Sequence, residues 1–336
     1  MGQRISLFPL ENIPSFSFHD LDFDRVMISC VSSRGTPYTR SMGVGMPKIP
    51  LMALDSVFYL YKTPKDAELG DNFGGSGFFV SVESSTQGYQ YVYPVTNWHT
   101  AVRDGFSTIR VNRTDGSSEI FETDPSDWVW IPNSHDVCIL PPLPFGEEHK
   151  VVAIPNYAIS DRNSTEKAGI GVGEDVFMIG RFVDHDGGKI NRPAARFGHI
   201  SVMPTLISQS NGAKVETYCV DMHSRTGFSG SPVFVYRLPG ADWNETLQTG
   251  KIQNHKPGFL ALLGIHRGQF PEEWKEKTEG EVRTIEGLSG MTLVNPAWAI
   301  FELLNLPRFI EGRIVGDKEI AARFGSGPKD EVVVDK

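Results

Sequence analysis

From Ser56 onward the chain alternates short apolar runs with clusters of turn residues. Val57-Phe58-Tyr59-Leu60-Tyr61 opens the series, and runs over 77–82, 89–96, 109–111, 128–131 and 137–140 follow. β-Branched and aromatic residues fill these runs, and Gly, Pro, Asn, Asp and Ser separate them, which is the pattern of strands joined by turns. After a Pro-rich joint, Pro141-Pro142-Leu143-Pro144, a second series runs over 175–180, 197–202, 216–220, 232–236, 259–265 and 291–294. Regular short strands with little helix predict an all-β barrel class, with the first series forming one barrel and the second another. Ala297-Trp298-Ala299-Ile300-Phe301-Glu302-Leu303-Leu304 reads as a short helix, with Pro296 in its first turn and Pro307 as its stop. Before the barrels, 26–30 reads as a strand and 35–50, rich in Gly, Pro and Ser, as a linker or lid. The chain divides into an extension over 1–52, a first barrel over 53–145, a second barrel with its helix over 146–306 and a tail over 307–336.

Chemistry concentrates at Thr226-Gly227-Phe228-Ser229-Gly230-Ser231-Pro232-Val233-Phe234, where a small-residue turn runs into a strand with a hydroxyl at its tip. Glycines let the backbone bend sharply and let a substrate carbonyl come close, which suits a nucleophilic serine. The Gly227 and Ser229 amides then point at one spot, where they stabilise a developing oxyanion. The plain alternative is a hairpin turn. Upstream, the run Tyr91-Val92-Tyr93-Pro94-Val95-Thr96-Asn97-Trp98-His99 ends in a histidine, and Asp136 opens the run Val137-Cys138-Ile139-Leu140. Taken singly, His99 reads as a satisfied histidine and Asp136 as a strand-start acid. Taken together in the order His, Asp, Ser, they supply a base, a carboxylate that holds the base in one tautomer, and a nucleophile.

These segments resemble the chymotrypsin-like serine proteases, with the bacterial glutamyl endopeptidases and the Deg group looking closest. The resemblance rests on Thr96-Asn97-Trp98-His99, on Gly227 to Phe234, on Asp221 eight residues before Ser229, on Gly74-Gly75-Ser76-Gly77-Phe78-Phe79-Val80, on Gly264-Ile265-His266-Arg267-Gly268 and on Gly290 to Pro296. It spans roughly residues 55–306. It implies two antiparallel six-stranded β-barrels with a C-terminal helix, a catalytic triad of His99, Asp136 and Ser229, and an oxyanion hole from the Gly227 and Ser229 amides. It also implies a substrate pocket at Ser224, His266 and Gly268 that prefers an acidic or Gln side chain at the residue before the scissile bond. His266 alone also reads as an ordinary strand residue. Phe228 departs from the family, whose members carry Asp or Asn before the nucleophile. Activation by ion pairing to a trimmed N-terminus is thereby disfavoured, and the Gly227 peptide is expected to be free to flip, with substrate, oligomerisation or a partner as the switch.

Bulk properties narrow the setting. The chain has 336 residues, 40% of them hydrophobic, enough for one large or two small cores. A net charge of −9 argues against broad nucleic-acid binding. No apolar run approaches the ~18–20 residues that span a bilayer, and the first residues lack a secretory pattern. The three cysteines, Cys30, Cys138 and Cys219, make no disulfide framework, so a reducing, cytoplasmic setting is expected. Met1-Gly2-Gln3-Arg4-Ile5-Ser6 matches a myristoylation pattern that short sequences often match by accident. Asp184, His185 and Asp186 are candidate metal ligands, but no second cluster completes a site, so 184–196 is read as a surface hairpin loop and no cofactor is expected. The reading is a serine endopeptidase acting on protein or peptide substrates, with a regulatory partner or the 1–52 extension as its control. The alternatives are a pseudoprotease that binds peptides or partners, and an esterase or acyl transferase on another fold. The lack of a Gly-x-Ser-x-Gly elbow disfavours an α/β hydrolase.

Overall fold

The computed structural model describes residues 8–9, 49, 51–86, 89–185, 187–209, 212–237, 240–241, 255–256, 258–278 and 281–324. The expected strand at 26–30 lies outside them, as does nearly all of 35–50. The first sheet holds β1 (Phe8–Pro9), β2 (Val57–Tyr61), β3 (Phe73–Glu83), β4 (Tyr89–Thr96), β5 (Thr108–Asn112), β6 (Ser118–Phe121), β7 (Cys138–Ile139) and β8 (Ile154–Pro155), in the order β1-β4-β3-β2-β5-β6. There β7 pairs with β4, and β8 pairs with β3 in parallel. The second sheet is a closed barrel of β9 (Asp175–Gly180), β10 (Ala194–Ser208), β11 (Lys214–Asp221), β12 (Pro232–Arg237), β15 (Phe259–Thr278) and β16 (Glu281–Pro296), while β13 (Gly240–Ala241) and β14 (His255–Lys256) pair as a small hairpin. The helices are α1 (Pro64–Leu69), α2 (Arg162–Lys167), α3 (Trp298–Leu304) and α4 (Pro307–Phe324).

The apolar runs of β2, β4, β9 and β12 are continuous, not alternating, because these strands bury both faces. Along β2, Phe58 and Leu60 point into the first barrel with Phe79, Val92 and Trp128. The intervening Val57, Tyr59 and Tyr61 point the other way, into a layer shared with Phe177, Ile179, Phe234 and Ile265 of the second barrel. β9 and β12 split in the same manner, with Val176, Met178, Val233 and Val235 filling the second barrel. The two-residue side-chain period of a strand sends successive residues to opposite faces, so a strand between two cores is apolar throughout.

Several boundaries differ from expectation. The run at 128–131 is not a strand. Val129 makes only an isolated bridge to Ile139, and the chain then turns through Pro132 and Asn133, the latter at φ 57°. The polar-spaced β6 lacks the apolar run that marks the other strands, and its residues are only half-buried. β15 and β16 continue past the barrel as a paired ribbon to Thr278 and Glu281. Pro307 does not merely end α3, and 307–324 is not a tail. Pro307 starts α4, whose Asp317 carboxylate accepts from Ser84 Oγ at 2.5 Å, Ser85 N–H at 3.2 Å and Tyr91 Oη at 2.7 Å. The connection expected as a surface hairpin at 184–196 is instead fastened to the first barrel. Arg110, fully buried, donates to Asn191 Oδ1 and to the Gly188 carbonyl, and Asn191 and Asn112 exchange two hydrogen bonds of 2.8 Å. Asp186 lies outside the described residues.

Candidate active site

His99 follows the end of β4 and opens one turn of wide helix, His99–Arg103. Asp136 sits two residues before β7, which pairs with the end of β4 through Thr96 and Cys138. That pairing brings the two side chains together. His99 Nδ1 lies 2.5 Å from Asp136 Oδ2, and the His99 backbone N–H donates to Oδ1 at 2.8 Å. Asp136 is 8% exposed. Its carbonyl accepts from Asn97 Nδ2 at 2.8 Å and from Asn295 Nδ2 at 3.0 Å. The dyad is therefore held from behind by one residue of each barrel. Asn97 stood within the histidine motif, and Asn295 within the Asn-Pro at the end of β16. Neither had a sequence signal for this contact, because it depends on where Asp136 lands.

Ser229 lies on the turn before β12, pressed against the first barrel. Its carbonyl accepts the Ser76 N–H at 2.7 Å. A Cβ on Gly75 would fall 2.3 Å from the Ser229 carbonyl oxygen and 3.2 Å from Thr100 Cγ2, so that glycine is what lets the serine turn reach the residue next to His99. Gly227 and Gly230 take φ of 97° and 84°, the left-handed region that favours glycine. Within the turn the amides divide cleanly. Phe228 N–H donates to the Arg225 carbonyl, Gly230 N–H to the His266 carbonyl and Ser231 N–H to the Phe228 carbonyl. The Gly227 and Ser229 amides donate to no acceptor among the described residues. No hydrogen bond joins the Ser229 hydroxyl to His99 among the described contacts, a looseness common in unliganded catalytic sites.

Phe228 is fully buried in the second-barrel core, with Arg196 5.8 Å from its ring centre. The anchor is thus apolar, as Phe228 implied, and the adjoining peptide is pinned from another direction. Ser76 Oγ donates to the Gly227 carbonyl at 2.9 Å and accepts the Arg181 N–H at 2.9 Å. Arg181, fully buried, stacks its guanidinium 4.5–4.7 Å from the rings of Tyr59, Tyr61 and Phe73. In the sequence Ser76 is only part of a glycine-rich strand motif, and Arg181 carries no signal for this contact.

Of the expected pocket residues, Ser224 and His266 are buried, and the Ser224 carbonyl accepts from Gln269 Nε2 at 2.5 Å. His266 is 2% exposed, and neither ring nitrogen makes a well-formed hydrogen bond. Burial, helped by the nearby His99 and only weakly opposed by the Phe228 backbone, pushes its imidazole down to about 3, so the ring is neutral at physiological pH. Gly268 lines a cavity of about 580 Å³ beside His99 and Asp136. Among the described residues no three of His, Cys, Asp and Glu gather as metal ligands, and no helix is long and apolar enough to cross a membrane.

The eight-stranded first sheet, antiparallel except for β8, carries the His–Asp pair, and the closed six-stranded barrel carries the glycine-flanked serine turn, an arrangement consistent with the double-barrel fold of the chymotrypsin type. Among solved structures, the chain is similar to the MamO protease domain from Magnetospirillum magneticum, at 15% identity over 76% of this chain and 99% of that one, with a TM-score of 0.45. It is also similar to Deg5, at 19% identity over 65% and 81% of the two chains and a TM-score of 0.38. A third neighbour is the Rv3671c protease of M. tuberculosis, at 18% identity over 78% and 98% and a TM-score of 0.36. No protein-family model matches the chain, and no curated protein matches it.

Proposed function

We propose that the protein is a serine endopeptidase in which His99, Asp136 and Ser229 form the catalytic triad. The observation that carries this reading is the two-point hold of Asp136 on His99, ring and backbone together, next to the Ser229 turn. With Nδ1–H fixed on a buried carboxylate, Nε2 of His99 is left as the basic nitrogen. It takes the Ser229 proton as the hydroxyl oxygen bonds to the scissile carbonyl carbon. The oxyanion so formed is met by the two amides, Gly227 and Ser229, that have no other acceptor. His99 then passes the proton to the departing amine as the C–N bond breaks, and water repeats the sequence to release the acyl group.

For the residue before the scissile bond, an acidic or Gln side chain is the proposed preference. His266 supports it as a neutral ring with one N–H to offer, and Ser224 adds a buried hydroxyl. The absent Ser229–His99 hydrogen bond favours a second reading, a peptide-binding module that does not cleave. Digestion of a diverse peptide library by wild type beside Ser229→Ala, with fluorophosphonate labelling of both, separates the two. Cuts and label in wild type alone support the peptidase, and clustering after Glu or Gln supports the pocket. A wild type that neither cuts nor labels leaves the binding module.

A further inference from the structure

The cavity beside the His–Asp pair carries more polar chemistry than catalysis uses. Trp98, Trp130, His135, Arg267, Gln269 and Leu293 help line it, while Ser224, Ser229 and His266 do not. It therefore meets the pocket proposed for the side chain at the scissile bond only at Gly268. Four of its lining residues have a buried polar atom with no hydrogen-bond partner: Trp98 Nε1, His135 Nδ1, Arg267 Nη1 and Gln269 Oε1. Buried polar atoms are nearly always satisfied, and two of these, Trp98 Nε1 and Arg267 Nη1, are donors without an acceptor, so the cavity points to a ligand that brings one. The charge among them is Arg267. It belongs to no ion pair among the described residues, and Asp136, the carboxylate whose charge acts on it, is already engaged by His99. Burial pulls the Arg267 guanidinium below its ordinary value, and the Asp136 charge only partly offsets this. The other guanidinium at the cavity, Arg103, is satisfied by a two-point pair with Asp104.

We propose that this cavity is a second substrate subsite, in which Arg267 takes the carboxylate of a Glu or Asp side chain at least one residue away from the one before the scissile bond. A carboxylate supplies acceptors to the guanidinium and to the Trp98 N–H, and the two tryptophans flank its aliphatic stem. The proposal rests on the protein binding peptides in this cleft, and its test is arranged so that the two ideas fail separately.

A randomised peptide library is profiled in two ways: by cleavage with wild type, and by retention on immobilised Ser229→Ala protein. Acidic residues should be enriched at one fixed position beyond the scissile one. Matched Glu and Gln peptides at that position should differ by about 10- to 100-fold, the range of one charge-assisted hydrogen bond. Arg267→Gln should erase that ratio, Arg267→Lys should keep part of it, and Arg267→Glu should turn the preference toward Lys or Arg. No acidic enrichment outside the scissile position, or an enrichment that survives Arg267→Gln, overturns the subsite. Retention with acidic enrichment but no cleavage keeps the subsite and removes the peptidase. Absence of both cleavage and retention removes both.

Discussion

His266 ties acid stability to a single buried ring. Its imidazole is 2% exposed, makes no well-formed hydrogen bond, and is held at about 3 against 6.5 in the unfolded chain. Between those values the unfolded state binds a proton that the folded state refuses, so stability rises with pH up to about 6.5 and is independent of this residue above it. At 1.36 kcal/mol per unit, the ring costs the fold about 2 kcal/mol at pH 5 and about 3 kcal/mol at pH 4. Replacing His266 by Leu removes the titration. Because the Phe228 carbonyl keeps its bond from Ser231 N–H and no well-formed hydrogen bond is lost, the substitution should cost little at neutral pH. The assay is urea unfolding of Ser229→Ala protein, with and without His266→Leu, at pH 7.5, 6, 5 and 4; the serine variant prevents self-digestion. Between pH 7.5 and 5 the parent should lose about 2 kcal/mol more than the His266→Leu protein, with unchanged denaturant slopes. Parallel losses in the two proteins would refute the buried neutral ring.

Three further outcomes are expected. Ser76→Ala strands the Arg181 N–H and the Gly227 carbonyl in a dry site and should cost about 1–3 kcal/mol in thermal unfolding, with the loss recovered by Ser76→Thr only if the extra methyl fits. Gly230→Ala would place a methyl 2.0 Å from the Ser76 carbonyl oxygen, whereas Gly116→Ala, at a similar φ of 87°, meets nothing within 4 Å. Gly116→Ala should cost about 1–2 kcal/mol of backbone strain, and Gly230→Ala should cost clearly more; equal losses by calorimetry would contradict the close approach. Asp317→Ala removes the acceptor shared by Ser84, Ser85 and Tyr91, so hydrogen exchange should speed up along α4 while the β2–β3 and β9–β12 ladders stay protected.

Much of the fold was legible because strand-forming runs and turn residues are local signals. The runs at 57–61, 89–96 and 175–180 match β2, β4 and β9 residue for residue. The misses have physical causes. β6 was invisible because its face is only half-buried and so carries no apolar run. Residues 128–131 looked like a strand because Trp128 and Val129 are buried, but burial alone does not make a ladder. The α4 helix was missed because Pro307 both stops one helix and suits the first turn of the next.

The sequence by itself determined the two-core strand pattern and put a histidine, an acid and a glycine-flanked serine in a telling order. These are properties of neighbouring residues, and a linear chain displays them. Only the tertiary structure decided what those residues touch. It joined Asp136 to Asn97 and Asn295 from opposite barrels, and let Ser76 of the first barrel hold the serine turn of the second. It also buried His266 to the point of neutrality and left Arg267 Nη1 without a hydrogen-bond partner beside the dyad. Each of these depends on which groups share a dry volume after the chain has closed on itself, where dielectric and hydrogen-bond supply are set by residues far away in sequence.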